Sequence, residues 1–186
     1  MEIVIAMNDS TPLSMIYNGD FLVKISYSTE DQLSEQFSCY STQLKSNDIK
    51  EKMEAAEALS FIDSPLCIDY VIPMLSIENL EVLGINTLSR FNIDKVRKLI
   101  MGMLSHNESE VVSAAINALD SMKVQIPRIK FLDMLSSNNA SIRFIGLENL
   151  ELTPNVNDKN YIIPLFQDLD SIVAKKAKEY NQLISK

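Results

Sequence analysis

The sequence predicts an all-α fold: a right-handed α-α superhelix of about five helix pairs over residues 30–186, behind a short N-terminal cap over residues 1–29. Three recurring features predict it. The apolar quintets Val71–Leu75, Ile100–Leu104, Phe131–Leu135 and Ile162–Phe166 begin 29, 31 and 31 residues apart. Each quintet begins 12 residues after a leucine, namely Leu59, Leu88, Leu119 and Leu150. Four residues before each leucine stands a small residue, Ala55, Gly84, Ala115 or Gly146, and Ala177 continues the series. A fixed period of about 30 residues means stacked supersecondary repeats, none of which can bury its apolar face alone.

Taken in order, residues 1–29 do not fit the period. Ile3–Ala6 and Phe21–Tyr27 read as short strands, the latter with Phe21, Val23, Ile25 and Tyr27 alternating, and Thr11-Pro12 could open a short helix closing at Asn18-Gly19. A hairpin and an irregular helical cap both satisfy this pattern, and either covers the open end of a stack. The first repeat is expected over residues 30–61, opened by the capping-box pattern Thr29-Glu30-Asp31-Gln32. Leu33, Phe37, Tyr40 and Leu44 then hold one helical face. The remaining repeats are expected over residues 64–91, 94–122, 126–152 and 159–186. Each should comprise a first helix ending in the quintet, a polar hinge, and a second helix carrying the small residue. The second helix is clearest where Val111, Ala115, Ile116 and Leu119 fall on one stripe. A small side chain in mid-stripe lets the paired helix approach closely, since cores tolerate little added volume. Hinges such as Ser105–Ser109 and Ser136–Asn139 are rich in Ser and Asn, which cap the exposed amides of the next helix.

Small residue, apolar pair and leucine on the second helix, at a period near 31, resemble the HEAT-like repeats, particularly the short kind of the phycobilin lyases. The resemblance covers about residues 30–186. That family usually carries Val-Arg at the start of the second helix. Here only Ile142-Arg143 matches; the other copies read Leu80-Glu81, Val111-Val112 and Val173-Ala174. The resemblance implies that the second helices line the concave side of the stack.

Composition bounds the function. At 186 residues and 46% hydrophobic, the chain can bury an adequate core as one compact, soluble domain. No apolar run reaches the 18 or so residues of a membrane span, and the start Met1–Ile5 lacks a basic secretory leader, so a cytoplasmic location is expected. Cys39 and Cys67 are expected as packing thiols rather than a disulfide. A net charge of −8 argues against nucleic acid as a partner, because phosphate binding relies on clustered Lys and Arg. The one such cluster, Lys175, Lys176 and Lys178, reads as a charge complement to the last helix end. The single histidine, His106, lies in a hinge and reads as a surface or capping residue. The four glycines are scattered and form no phosphate loop. No catalytic set, cofactor, metal or small-molecule substrate is expected.

What remains is recognition of a protein surface. Counting from the small residue, positions +2 and +5 point about 200° and 140° around the second helix, towards solvent. The +2 column reads Glu57, Asn86, Asn117, Glu148 and Glu179, and the +5 column Ser60, Ser89, Asp120 and Glu151. Together they propose a polar, acidic binding face built from Glu57, Asn86, Asn117, Asp120, Glu148 and Glu151; a plain solvated helix face has the same composition. Phe144, at position −2, either stands exposed beside that face as an anchor or folds under the next repeat as core. The expected function is a non-catalytic protein-binding module. Its most concrete form is an acidic bacterial immunity protein that covers a basic nuclease toxin; the alternative is an adaptor or accessory subunit of an enzyme complex. In either form the partner is a protein, and acidity makes a basic one the first expectation.

Overall fold

In the computed structural model the described residues are 3–5, 23–25 and 30–185. The chain falls into two compact units, Met1–Phe91 and Asn92–Lys186. In repeat folds a helix pair packs mainly on its neighbours, so a division passes between pairs and not through one.

In the first unit, strands β1 (Ile3–Ile5) and β2 (Val23–Ile25) pair in parallel, with Ile3 opposite Val23. Both expected strand segments are present, and their parallel pairing excludes a hairpin, whose strands must be antiparallel. The expected helix from Thr11-Pro12 and the capping role of Thr29 lie outside the described residues. Helices α1 (Glu30–Gln43) and α2 (Ile49–Phe61) form the first pair. Phe37 and Leu44 are buried as expected, and the Phe37 ring lies 4.8 Å from that of Tyr70. Asp48 caps α2 by accepting from the Lys50 amide at 2.8 Å. The second pair consists of a broken first helix and α4 (Glu81–Leu88). The break is a 3₁₀ turn Pro65–Cys67, a single α-turn α3 (Ile68–Val71), and a second 3₁₀ stretch Ile72–Ser76. Pro73 explains it: a proline inside a helix removes an amide donor and clashes with the carbonyl four residues back. Cys67 is buried here, and burial pushes its thiol above the ordinary cysteine range, which leaves it a packing group. Cys39, by contrast, is exposed and free, contrary to its expected role in packing.

The second unit repeats the scheme three times, with α5 (Asp94–Met103) and α6 (Ser109–Ser121), then α7 (Arg128–Met134) and α8 (Ala140–Glu151), and last α9 (Lys159–Ile162) and α10 (Ser171–Leu183). The last pair copies the break of the second: 3₁₀ turns Val156–Asp158 and Ile163–Gln167 flank α9, and Pro164 occupies the same quintet position as Pro73. The end of α6 is a Schellman turn, with Val124 N–H donating to Leu119 O and Lys123 N–H to Asp120 O, each at 2.8 Å. Lys123 therefore adopts φ 57°, where glycine is usual. The core of the final pairs gathers Leu135, Leu147, Leu150, Ile162, Leu165, Val173, Ala177 and Tyr180.

Across both units the small residues Ala55, Gly84, Ala115, Gly146 and Ala177 are buried. Gly84 and Gly146 face the quintet of their own pair. A Cβ on Gly146 would stand 2.8 Å from the Phe131 carbonyl oxygen and 3.0 Å from Met134 Cβ; one on Gly84 would stand 3.1 Å from Met74 Cβ. Backbone cannot yield as a side chain can, so the two glycines differ. We expect Gly146→Ala to cost about 1–3 kcal/mol through overpacking, and Gly84→Ala less. Gly102, on α5, has nothing within 4 Å of its would-be Cβ. Gly102→Ala should be neutral or stabilise by up to about 1 kcal/mol, by raising helix propensity. Urea midpoints of the three variants check the order; equal effects would mean that the small residues do not set the helix spacing.

Candidate functional site

The second helices of the second unit carry the nominated face. Helix α6 buries Val111, Val112, Ala115, Ala118 and Leu119, which turns Asn117 and Asp120 outward, and both are exposed. Helix α8 buries Ile142, Gly146, Leu147 and Leu150, which exposes Glu148. Helix α10 buries Val173, Ala177 and Tyr180, which exposes Glu179. In the first unit the same geometry exposes Glu57 on α2 and Asn86 on α4. Position +2 therefore points to solvent in all five pairs. Position +5 does not behave uniformly: Ser60 and Ser89 turn back to their own helix carbonyls, at 2.7 and 2.8 Å.

Two nominated residues are drawn into the protein. Glu151 is half-buried and accepts a charge-assisted bond from Lys176 on α10, so its charge is neutralised within the protein. Phe144 is partly buried and packs against the core of the last two pairs, the second of the two placements open to it. The reason is rotational: position −2 on α8 lies close enough to the next helix pair for a large ring to reach under it. Asp120 and Glu148 make no ion pair among the described residues, so the negative charge of this face rests on them, with Glu179 only loosely paired to Lys175 at 3.8 Å.

Behind the face, two polar networks that periodicity could not reveal fix the last pairs in place. Arg143 forks onto Asp168, its Nε donating to Oδ2 at 2.8 Å and Nη2 to Oδ1 at 2.6 Å. Its Nη1 donates to the carbonyls of Ser137 and Asn138 at 2.8 and 3.1 Å, which fastens the α7–α8 hinge to the next one. The Arg143 guanidinium and the Asp170 amide hold the Asp168 carboxyl below the usual range. The second network is centred on Asp158, which is buried. Arg128 donates to Asp158 Oδ1 at 3.0 Å and also to Oδ2, and through Nη1 to Thr153 O at 2.7 Å. Tyr180 donates to Asp158 Oδ2 at 2.6 Å and accepts from Arg128 Nη2 at 2.9 Å. Burial first, and the bond to Asp158 second, push the Tyr180 phenol up to about 12. The two networks tie α7, α8, α10 and their loops into one frame, which sets where Glu148 and Glu179 stand.

The sole histidine is a hinge residue: His106 Nδ1 accepts from the Glu108 amide at 3.2 Å. Among the described residues no three His, Cys, Asp or Glu side chains cluster as metal ligands, and no helix is long and apolar enough to cross a membrane.

Comparisons with known proteins add the following. No protein-family model matches the chain, and no curated protein matches it. Among solved structures it is similar to the complex of CpcE and CpcF of phycocyanin lyase from Nostoc sp., at 15% identity and a TM-score of 0.46, over 94% of this chain and 70% of that one. It is also similar to an engineered protein, at 17% identity and a TM-score of 0.39, over 81% of this chain and 48% of that one.

Two outcomes are expected from these contacts. Phe144→Ala should lower stability by roughly 1–3 kcal/mol, as loss of a partly buried core ring does, and a thermal melt unchanged from wild type would return the ring to the surface. Because the folded Tyr180 pKa lies above its unfolded value near 10, its contribution is whole below about pH 10 and is lost as pH climbs through about 12. Denaturation midpoints against pH should therefore fall over that window. In Tyr180→Phe this part of the fall should disappear.

Proposed function

We propose that this chain is a non-catalytic protein-binding module, and that it acts as an adaptor or accessory subunit by docking a protein partner on the outward face of its second helices. The observation that carries the reading is the solvent-facing column Asn117, Asp120, Glu148 and Glu179 of the second unit, borne on α6, α8 and α10. Helices of this kind present side chains on a stiff scaffold, which reduces the ordering cost of association. The chemistry of the column favours a partner with a mixed polar surface and some positive charge. Glu151 is already neutralised by Lys176 and Glu179 is loosely paired to Lys175, so the face is less acidic than the residue types alone suggest. That lowers the weight of a strongly basic toxin as partner and raises that of an ordinary protein subunit.

A tagged form of the protein, used to capture partners from its source organism, tests the reading when the capture is repeated with Asp120→Lys plus Glu148→Lys. Both side chains are exposed, so the melting temperature should hold while association slows by roughly tenfold at low salt. If charge reversal leaves association untouched, the partner docks elsewhere and the proposed face is wrong. A nuclease-inhibition assay on the captured partner separates the two roles: inhibition would favour the immunity reading over the adaptor.

A further inference from the structure

A polar cleft of about 470 Å³ opens at the hinge end of the second unit. It is lined by the apolar Leu104, Met134 and Ile142 and by the two hinges that begin at Ser105 and Ser136. The hinges are held rigidly. Asn139 Nδ2 donates across to Asn107 O at 3.1 Å, and Arg143 ties down the carbonyls of Ser137 and Asn138. Of the polar side chains that line the cleft, which include Ser105, Asn107 and Asn138, three are charged or titratable, His106, Lys130 and Asp133, and Ser136 adds a hydroxyl.

Their chemistry is directional. A backbone amide can only donate, so the bond from Glu108 N–H at 3.2 Å makes His106 Nδ1 the acceptor. The neutral ring then carries its proton on Nε2, and that N–H is a donor with no partner among the described residues. Lys130 adds an ammonium and Ser136 a hydroxyl, while Asp133 supplies the one carboxylate; neither Lys130 nor Asp133 makes an ion pair among the described residues. Among the charged and titratable groups of the lining, two nitrogen donors are set against one carboxylate, which suits an anion that bears a donor of its own.

We propose that this cleft binds a carboxylate with a neighbouring hydrogen-bond donor, received by Lys130, His106 and Ser136, with Asp133 taking the donor. A free amino acid and an acidic residue of a polypeptide share that chemistry. The single histidine makes the test unambiguous, because one pair of ring nitrogen signals reports the site. Nitrogen-15 NMR of the full chain would be followed during titration with free L-aspartate and, separately, with acetyl-Gly-Glu-Gly-amide. The expected result is a saturable shift of the His106 Nε2 signal with at least one probe. The aspartate arm identifies a free amino acid as the ligand, and the blocked peptide identifies a chain segment. Lys130→Met should weaken that binding at least about tenfold, as loss of a charge-assisted bond does. Asp133→Asn should weaken the aspartate arm more than the peptide arm, since only the former brings an ammonium. The unliganded His106 signals of each variant confirm that the hinge is intact, and Ser136→Ala provides a third, milder lesion. No saturable shift from either probe up to high-millimolar concentrations would overturn the proposal. So would a shift that Lys130→Met leaves unchanged.

Discussion

The fold depends on one close approach, seen at Gly84 and at Gly146: a small residue on the second helix set against the apolar quintet of the first. Gly146 shows how tight this is, since the space a methyl group would need is already taken by the Phe131 carbonyl and by Met134. A helix brought that near exposes no gap, so the quintet and the leucine after the small residue can interdigitate at the density of a packed interior. The spacing that makes the repeats visible in the chain is thus the spatial condition for burying them. Insert a residue between small residue and quintet, and the two no longer meet.

The contact says nothing about how one pair is held to the next, and there the solution is polar. Arg143 and Asp168 share a forked, nearly buried ion pair between hinges, and Arg128, Asp158 and Tyr180 form a second knot around a buried carboxylate. Buried charges are costly unless every lone pair and proton is satisfied. Both knots meet that condition by recruiting backbone groups, the Ser137 and Asn138 carbonyls in one and the Thr153 carbonyl and Asn155 amide in the other. Apolar packing supplies cohesion within pairs, and these networks supply orientation between the last of them. The residues on the outward face inherit their positions from that division of labour.

Much of this is legible in the sequence, and the gaps have physical causes. Helix existence, pairing and the outward direction of Glu57, Asn86, Asn117 and Glu148 follow from a 3.6-residue period, which is a local property. The fate of Glu151 and Phe144 is not local: each is decided by a neighbour from the following pair, Lys176 in one case and a hydrophobic core in the other. Asp158 and Tyr180 are 22 residues apart and carry no periodic mark, so nothing in the chain announces their bond. The broken first helices were readable in principle, since Pro73 and Pro164 stand in the sequence. The apolar quintet around each proline concealed them by looking like the others.

Those two prolines divide the pairs mechanically. In the second and fifth pairs the second helix runs unbroken, while its companion is a single α-turn between 3₁₀ stretches. Such segments hold fewer cooperative hydrogen bonds and open at lower free-energy cost than continuous helix. The strain of any deformation will therefore collect in the proline-bearing strips and spare α4 and α10. A molecule built this way can yield on one side of a pair while keeping the other in register, much as a hinged spine flexes between stiff plates.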